Sequence, residues 1–345
     1  MSGWSPTAVE GSGHRPRDVG HWQRRVLEAD SVVEVETVLR HALQSLLRRR
    51  VHVDLAGGRT DILGAKEVAA ALSELSGEFP QAALDGIVFR HFTSYARGVR
   101  AETNAGSNGV SIAFNLAYYG ADARRDLALA LMHGRHNGQH HYDVRMLGAV
   151  DAIHEFGHVL DYTLDYRIGY RHGGRSRPPH QWWTRANALP GFPHSLRQEL
   201  TMVAGLSCGR LLAARRADPR NPVRPGLHAE RSRHDSADFR HDERHWGLSY
   251  WAIKDKVSRY ALRNTFELVA ESFTRVIVDR DAADPVSVAV HRRLMAALGR
   301  TSPPQASRIA ACVAHLHSRL SPERLLGLDG DPEFADFLTA QWASR

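Results

Sequence analysis

Cysteine is scarce in this sequence, and long apolar runs are missing. Only Cys208 and Cys312 occur among the 345 residues, which excludes a disulfide framework and a cysteine-rich zinc module and favours a reducing compartment. No window approaches the roughly 20 uncharged apolar residues that a bilayer span requires, and the first 25 residues lack the apolar stretch of a secretory signal. These absences predict a cytoplasmic protein that does not enter a membrane. A virion-associated protein and an effector delivered into another cell are the alternatives.

Lysine is absent from one long segment that is rich in arginine. Residues 166–250 hold 15 arginines, no lysine and 7 acidic residues, a net charge of +8. The whole chain carries +7, so the remainder of the chain sums to −1. A local excess of positive charge favours an acidic partner, and the attraction should weaken as salt rises.

What is present is an ordinary globular composition, with 43% hydrophobic and 24% charged residues. Alternating apolar residues predict strands, and apolar residues at helical spacing predict helices. The predicted strands cover residues 51–55, 86–95 and 109–116. The predicted helices cover residues 31–48, 65–75, 126–132, 148–163, 194–216, 264–279, 286–298, 305–319 and 332–343. A small sheet with helices, followed by a mostly helical half, favours an α+β architecture over a doubly wound one.

These patterns predict three regions along the chain. Residues 1–50 form an N-terminal tail and helix, the first 20 of them a loose tail rich in Gly, Ser and Pro. Residues 51–280 form the central domain, interrupted by the basic insert at about 166–250. Residues 281–345 form C-terminal helices.

The first stretch that carries chemistry is an HExxH motif, in which His154, Glu155 and His158 lie within a predicted helix. Residues four apart share one face of a helix, so both imidazoles can reach one metal ion. Glu155 lies beside them and can take a proton from a metal-activated water. The other residues of this helix are mainly apolar, which predicts a buried helix whose polar stripe faces a metal, a cavity or a partner. An ordinary helix with a solvated polar face is the alternative.

A catalytic zinc site needs a third protein ligand. The predicted helix over residues 264–279 carries Glu267 and Glu271 one turn apart among apolar residues. Two carboxylates on a buried helix need a cation or hydrogen-bond donors. One can bind the metal, and the other can accept the N–H of a ligating histidine. Asn264 and Glu267 also have the spacing of a capping box, so a purely structural role for Glu267 stays open.

The segments HEFGHVLDY and SRYALRNTFELVAESF together resemble the gluzincin zinc peptidases of the anthrax lethal-factor type. Similar motif pairs occur in proteins of phage and prophage origin. The resemblance covers residues 109–165 and 258–278. It implies that residues 51–280 are a zincin-like catalytic domain, in which a small sheet places an edge strand over the active-site helix. Residues 109–116 are the expected edge strand, where an extended peptide could add by β-augmentation. An ordinary core strand is the alternative.

The same resemblance implies a role for each site residue. His154, His158 and Glu267 would bind Zn²⁺, and Glu155 would be the general base. Glu271 would contact a ligating histidine, and Tyr260, seven residues before Glu267, would stabilise the oxyanion. A glycine at position 157 fits this arrangement, because the helix over residues 264–279 must approach the helix over residues 148–163 closely. His133, His136, His140 and His141 lack a helical setting, so a polar loop is expected there. A second metal site is the alternative, because short His-rich segments can bind metal.

The sequence therefore predicts a zinc metallopeptidase, a hydrolase of the HExxH-plus-Glu type with an acidic polypeptide as its substrate. One alternative is a non-enzymatic phage-type structural or nucleic-acid-associated protein with an inert zincin core, whose arginines bind phosphate. The other is a peptidase toxin or effector.

Overall fold

A computed structural model describes residues 17–93, 98–106, 109–140, 144–169, 257–262, 265–300 and 307–327. The strands are β1 (His52–Asp54), β2 (Leu84–Arg90), β3 (Ala101–Gly106) and β4 (Gly109–Asn115). The first helices are α1 (Arg17–Glu28), α2 (Val32–Leu47), α3 (Ile62–Glu78), α4 (Leu116–Tyr119), α5 (Arg124–His136) and α6 (Gly148–Gly169). They are followed by α7 (Thr265–Asp279), α8 (Pro285–Ala297), α9 (Ser307–His317) and α10 (Pro322–Leu326). Within these ranges, no helix is long and apolar enough to cross a bilayer.

The four strands form one sheet in the order β1-β2-β4-β3. β1, β2 and β4 run parallel, and β3 runs antiparallel to β4 at the edge. The parallel pair β1 and β2 is joined through α3, as parallel neighbours require a crossover connection. The fold is therefore mixed α/β, with a small four-stranded sheet and many helices.

Helix α6 contacts α3, α7 and strand β3, so it lies at the centre of the described fold. Three phenylalanines join these helices: Phe79 follows α3 and has its ring centroid 6.0 Å from those of both Phe156 on α6 and Phe273 on α7. All three are fully buried. Each such burial stabilises the fold by about 1.5–3 kcal/mol, which holds the two motif-bearing helices against each other.

Most predicted elements in the described part are present, with shifted ends. Ser31 caps α2 as expected, because its side chain accepts a hydrogen bond from the Glu34 amide. The predicted strand over residues 86–95 was too long, since β2 ends at Arg90. Residues 17–20 belong to α1 and not to the predicted loose tail. The predicted helices over residues 194–216 and 332–343 lie outside the described residues.

The strand expected at the sheet edge was the wrong one. Residues 109–116 correspond to β4, which pairs with β2 on one side and β3 on the other and is therefore internal. The edge next to β4 is formed by β3, and the opposite edge is β1. The sequence pattern did not predict a strand at β3. Its residues AETNAG lack the apolar alternation that marks a strand.

A buried ion pair between Glu67 and Arg124 ties α3 to α5, and Glu67 also holds the start of α6. Glu67 is fully buried and accepts hydrogen bonds from the Arg124 guanidinium, from His317 and from the Gly148 amide. Burial raises the pKa of Glu67, but Arg124 and His317 outweigh it and lower the pKa to about 2. The pKa of Glu67 lies below the ordinary value of 4.5. The ionised carboxylate therefore stabilises the fold fully at pH values above 4.5. The contribution is lost as the pH falls towards 2.

Glu67→Gln is expected to lower the free energy of unfolding at neutral pH by about 1.5–3 kcal/mol, the range for a hydrogen bond to a charged group, because the buried Arg124 is left with the Asp61 carboxylate alone. Denaturant unfolding followed by circular dichroism measures the change. Glu102→Gln is the control, because Glu102 pairs with the exposed Arg90 and its loss should cost less than about 1 kcal/mol. Equal costs for the two variants would contradict the structural role of Glu67.

Candidate metal centre

The histidines of the HExxH motif lie one turn apart on α6, with ring centroids 5.0 Å apart. His154 and Glu155 are buried, and the His158 side chain is 12% exposed. The apolar residues of this helix are also buried, namely Val150, Ile153, Phe156, Val159 and Leu160. The polar face of α6 is thus directed into the protein, which excludes the alternative of a solvated polar stripe.

Helix α7 brings Glu267 to both histidines. Its Oε2 atom lies 3.2 Å from His154 Nε2 and 3.4 Å from His158 Nε2. The ligand atoms of these three residues all lie within 4.8 Å of one another. In tetrahedral zinc sites, bonds of about 2.0–2.2 Å place neighbouring ligand atoms about 3.3 Å apart. The two nitrogens and one oxygen therefore fit the donor set and the spacing of a three-ligand zinc site.

Glu271 and Glu267 lie on opposite sides of the His154 imidazole. The Oε1 atom of Glu271 is 3.1 Å from His154 Nδ1, the ring nitrogen that does not face Glu267. Burial raises the pKa of Glu271, but His140 and His154 outweigh it and lower the pKa to about 2. Glu271 is thus an ionised carboxylate placed to hold the orientation of His154, a candidate metal ligand.

Glu267 and Glu271 also change the pKa of His154. Burial lowers its pKa, but hydrogen bonding with Glu267 and Glu271 outweighs this and raises the pKa well above its ordinary value. A metal ion at Nε2 would have to displace a proton, so metal affinity should fall as the pH is lowered.

Glu155 points towards the sheet edge. Its Oε2 accepts a hydrogen bond of 2.7 Å from the Thr103 hydroxyl on β3. Burial raises the pKa of Glu155, while His158, His154 and Thr103 oppose the rise without cancelling it. A raised pKa suits a group that takes up a proton near neutral pH. Thr103 was missed by the sequence analysis, because the strand that carries it has no strand-like pattern.

Tyr260 lies next to the histidines on a 3-10 turn, Tyr260–Leu262, that precedes α7. Its ring centroid is 5.9 Å from that of His154. The structure thus brings together all six residues that the sequence analysis selected. The capping alternative for Glu267 involves Asn264, which lies outside the described residues.

Gly157 allows α6 and α7 to touch. A methyl group at position 157 would lie 2.9 Å from the Ala270 Cα and 3.4 Å from the Phe273 Cβ. Contacts of 2.9 Å to a backbone atom are too short, so only glycine fits at this helix crossing. This agrees with the close approach expected from the sequence.

Gly157→Ala is expected to destabilise the protein by about 1–3 kcal/mol, because α7 must move outwards, and this cost exceeds the roughly 1 kcal/mol of helix propensity gained. Thermal unfolding checks this expectation. Gly20→Ala is a matched control in α1, because no atom lies within 4 Å of the added methyl group. That variant should gain about 0.5–1 kcal/mol. A stabilised Gly157→Ala protein would contradict the close helix contact.

The histidine-rich segment is not the polar loop that the sequence predicted. His133 and His136 lie on α5, whose last turn they form, and His140 is buried. His140 Nδ1 lies 3.3 Å from Glu271 Oε1, so it belongs to the surroundings of the candidate centre. Sequence spacing gave no signal for this contact, since His140 and Glu271 come from segments far apart in the chain. His141 lies outside the described residues.

Across the part of the chain that the structure describes, only His154, His158 and Glu267 form a group of three metal-binding side chains. Neither models of known protein families, nor curated proteins, nor solved structures match this chain.

Proposed function

We propose that the protein is a zinc-dependent peptidase of the gluzincin type. One observation carries the proposal: a single Glu267 oxygen lies 3.2 and 3.4 Å from the Nε2 atoms of His154 and His158, the spacing of zinc ligands. Supporting it, Glu155 lies beside the two histidines and is oriented by Thr103.

Zinc bound by these three residues would supply a Lewis acid that activates water and polarises a carbonyl group. Glu155 accepts the proton of the attacking water, and its raised pKa suits this role. The Tyr260 hydroxyl donates a hydrogen bond to the oxyanion of the tetrahedral intermediate. Glu155 then gives its proton to the leaving amine. Glu271 keeps the His154 ring in place during these steps.

Strand β3 is the proposed place for the substrate backbone. Among the described strands, β3 pairs only with β4, and Thr103 on β3 contacts Glu155 directly. An extended polypeptide added to this edge would lie alongside the catalytic glutamate. The proposed edge is thus β3, whereas the sequence pattern favoured residues 109–116.

The basic insert is proposed to select acidic polypeptides. It leaves the described structure at Gly169, the end of α6, and the chain returns at Val257, shortly before Tyr260. The described segments on either side of residues 170–256 therefore carry the candidate site. Residues 170–256 lie outside the described residues, so the preference for an acidic partner stays a prediction from charge. The inert-core and effector alternatives also stay predictions.

The test is the metal content of the purified full-length chain, combined with cleavage of a peptide library. One zinc per chain and metal-dependent cleavage are expected, with chelation removing both. A chain that takes up no zinc after incubation with an excess of the metal would refute the proposal. A chain that binds zinc but cleaves no peptide would favour the inert-core alternative.

A further inference from the structure

A continuous network of polar side chains, all buried except the partly exposed Arg100, lies behind the candidate zinc ligands. Starting from the sheet side, its members are Tyr119, Asp151, Arg100, His140, Glu271 and His154. Five different segments of the sequence contribute to it. Only its last two members belong to the predicted site, so the outer four need a separate explanation.

The outer end of this network of side chains determines which nitrogen of His140 carries a proton. Asp151 accepts the Tyr119 hydroxyl at 2.8 Å and the Arg100 guanidinium at 3.0–3.1 Å. Arg100 Nη2 also lies 3.3 Å from His140 Nε2. A guanidinium can only donate hydrogen bonds, so His140 Nε2 must accept. The proton of His140 therefore sits on Nδ1.

At the inner end of the network, the same reasoning applies to His154, the candidate ligand. His140 Nδ1 and His154 Nδ1 lie 3.3 and 3.1 Å from the same oxygen, Glu271 Oε1. An ionised carboxylate can only accept hydrogen bonds, so each nitrogen faces it as a donor. His154 Nδ1 lies at ion-pair distance from Oε1 without meeting hydrogen-bond geometry. With Nδ1 facing Glu271, His154 presents Nε2 on the side of Glu267, where a metal would take the place of the second ring proton.

We propose that His140 is a positioning residue of the metal centre: it donates a hydrogen bond to Glu271 and so keeps that carboxylate aligned with the His154 ring. The inference rests on the proposed function. Without this donor, Glu271 Oε1 has one partner fewer and the carboxylate is free to rotate about its terminal torsion. His154 then loses its fixed tautomer and orientation, which weakens metal binding.

The turn that carries His140 also supports the other side of the site. The Gly138 carbonyl, two residues before His140, accepts a 2.9 Å hydrogen bond from the Arg259 amide. Arg259 directly precedes Tyr260, and the rings of His140 and Tyr260 lie 6.1 Å apart. A single turn after α5 thus contacts both Glu271 and the segment of the proposed oxyanion donor.

Two amide variants separate hydrogen bonding from shape. In His140→Asn, the amide nitrogen can occupy the place of Nδ1 and donate to Glu271. In His140→Gln, the longer side chain places its amide near the former Nε2, where it can accept from Arg100 but lacks the Nδ1 donor. Both replacements are polar and uncharged, so neither leaves a buried charge. His136→Gln is the control, because His136 is exposed on α5 in the same part of the chain.

Zinc affinity of the full-length proteins is measured by competition with a chelating dye, and the visible spectrum after Co²⁺ binding reports ligand geometry. We expect His140→Gln to weaken zinc binding by roughly tenfold, the lower end of the range for partners that orient a ligand, and to alter the Co²⁺ spectrum. His140→Asn and His136→Gln should stay within about threefold of the wild type and keep its spectrum.

The possible results are distinguishable. Wild-type affinity and spectrum in both His140 variants would overturn the inference and leave the proposed function intact. Equal weakening in folded His140→Asn and His140→Gln proteins would also overturn it, because shape and not the donor would then matter. Failure of the wild-type chain to bind zinc would overturn the proposed function and the inference together.

Discussion

Glu155→Gln is expected to slow peptide hydrolysis by roughly 10²–10⁴-fold, the usual contribution of a general base, and to leave zinc bound. The amide cannot accept a proton from water, yet its oxygen can still accept the Thr103 hydrogen bond that Glu155 receives at 2.7 Å. The replacement has nearly the same shape in a buried position. The variant should therefore fold normally and lose only the chemical step.

The rate of cleavage and the zinc content are measured on the same preparations. Glu102→Gln is the matched control, since Glu102 is the neighbour of Thr103 on β3 but pairs with Arg90 and not with the centre. Its activity should be unchanged. If Glu155→Gln cleaves at a rate within about tenfold of the wild type, then Glu155 is not the base.

Glu267→Ala is expected to abolish zinc binding at ordinary concentrations, whereas Glu271→Ala should weaken it by roughly 10–100-fold. The difference follows from where the two carboxylates meet His154. Glu267 lies on the Nε2 side together with His158, and Glu271 lies on the Nδ1 side. Only the first position can share a metal with both histidines, while the second orients one ring.

Isothermal titration with Zn²⁺ gives both affinities, and His154→Ala supplies the reference for the loss of a ligand. Circular dichroism establishes that each variant is folded. Wild-type affinity in Glu267→Ala would remove Glu267 from the ligand set. The third ligand would then have to be Glu271, or a residue outside the part of the chain that the structure describes.

The two helices of the candidate centre, and which of their residues share a face, could be predicted from the sequence. His154, Glu155 and His158 needed only the geometry of one helical turn, and the spacing between Glu267 and Glu271 needed the same. Helical patterns are local, so they were recognised even where the ends shifted by a few residues. The alternation over residues 109–116 likewise identified β4 as a strand.

The sequence by itself thus determined the chemistry of the candidate centre: two imidazoles and a base on one buried helix, and two carboxylates on another. Only the tertiary structure decided which strand forms the sheet edge and that Thr103 and His140 contact this centre. The physical reason is the range of the interactions. A helix brings residues three or four apart together through its own hydrogen bonds. Contacts between a strand, a turn and two helices depend instead on how the whole core packs. The sequence of any single segment does not predict them.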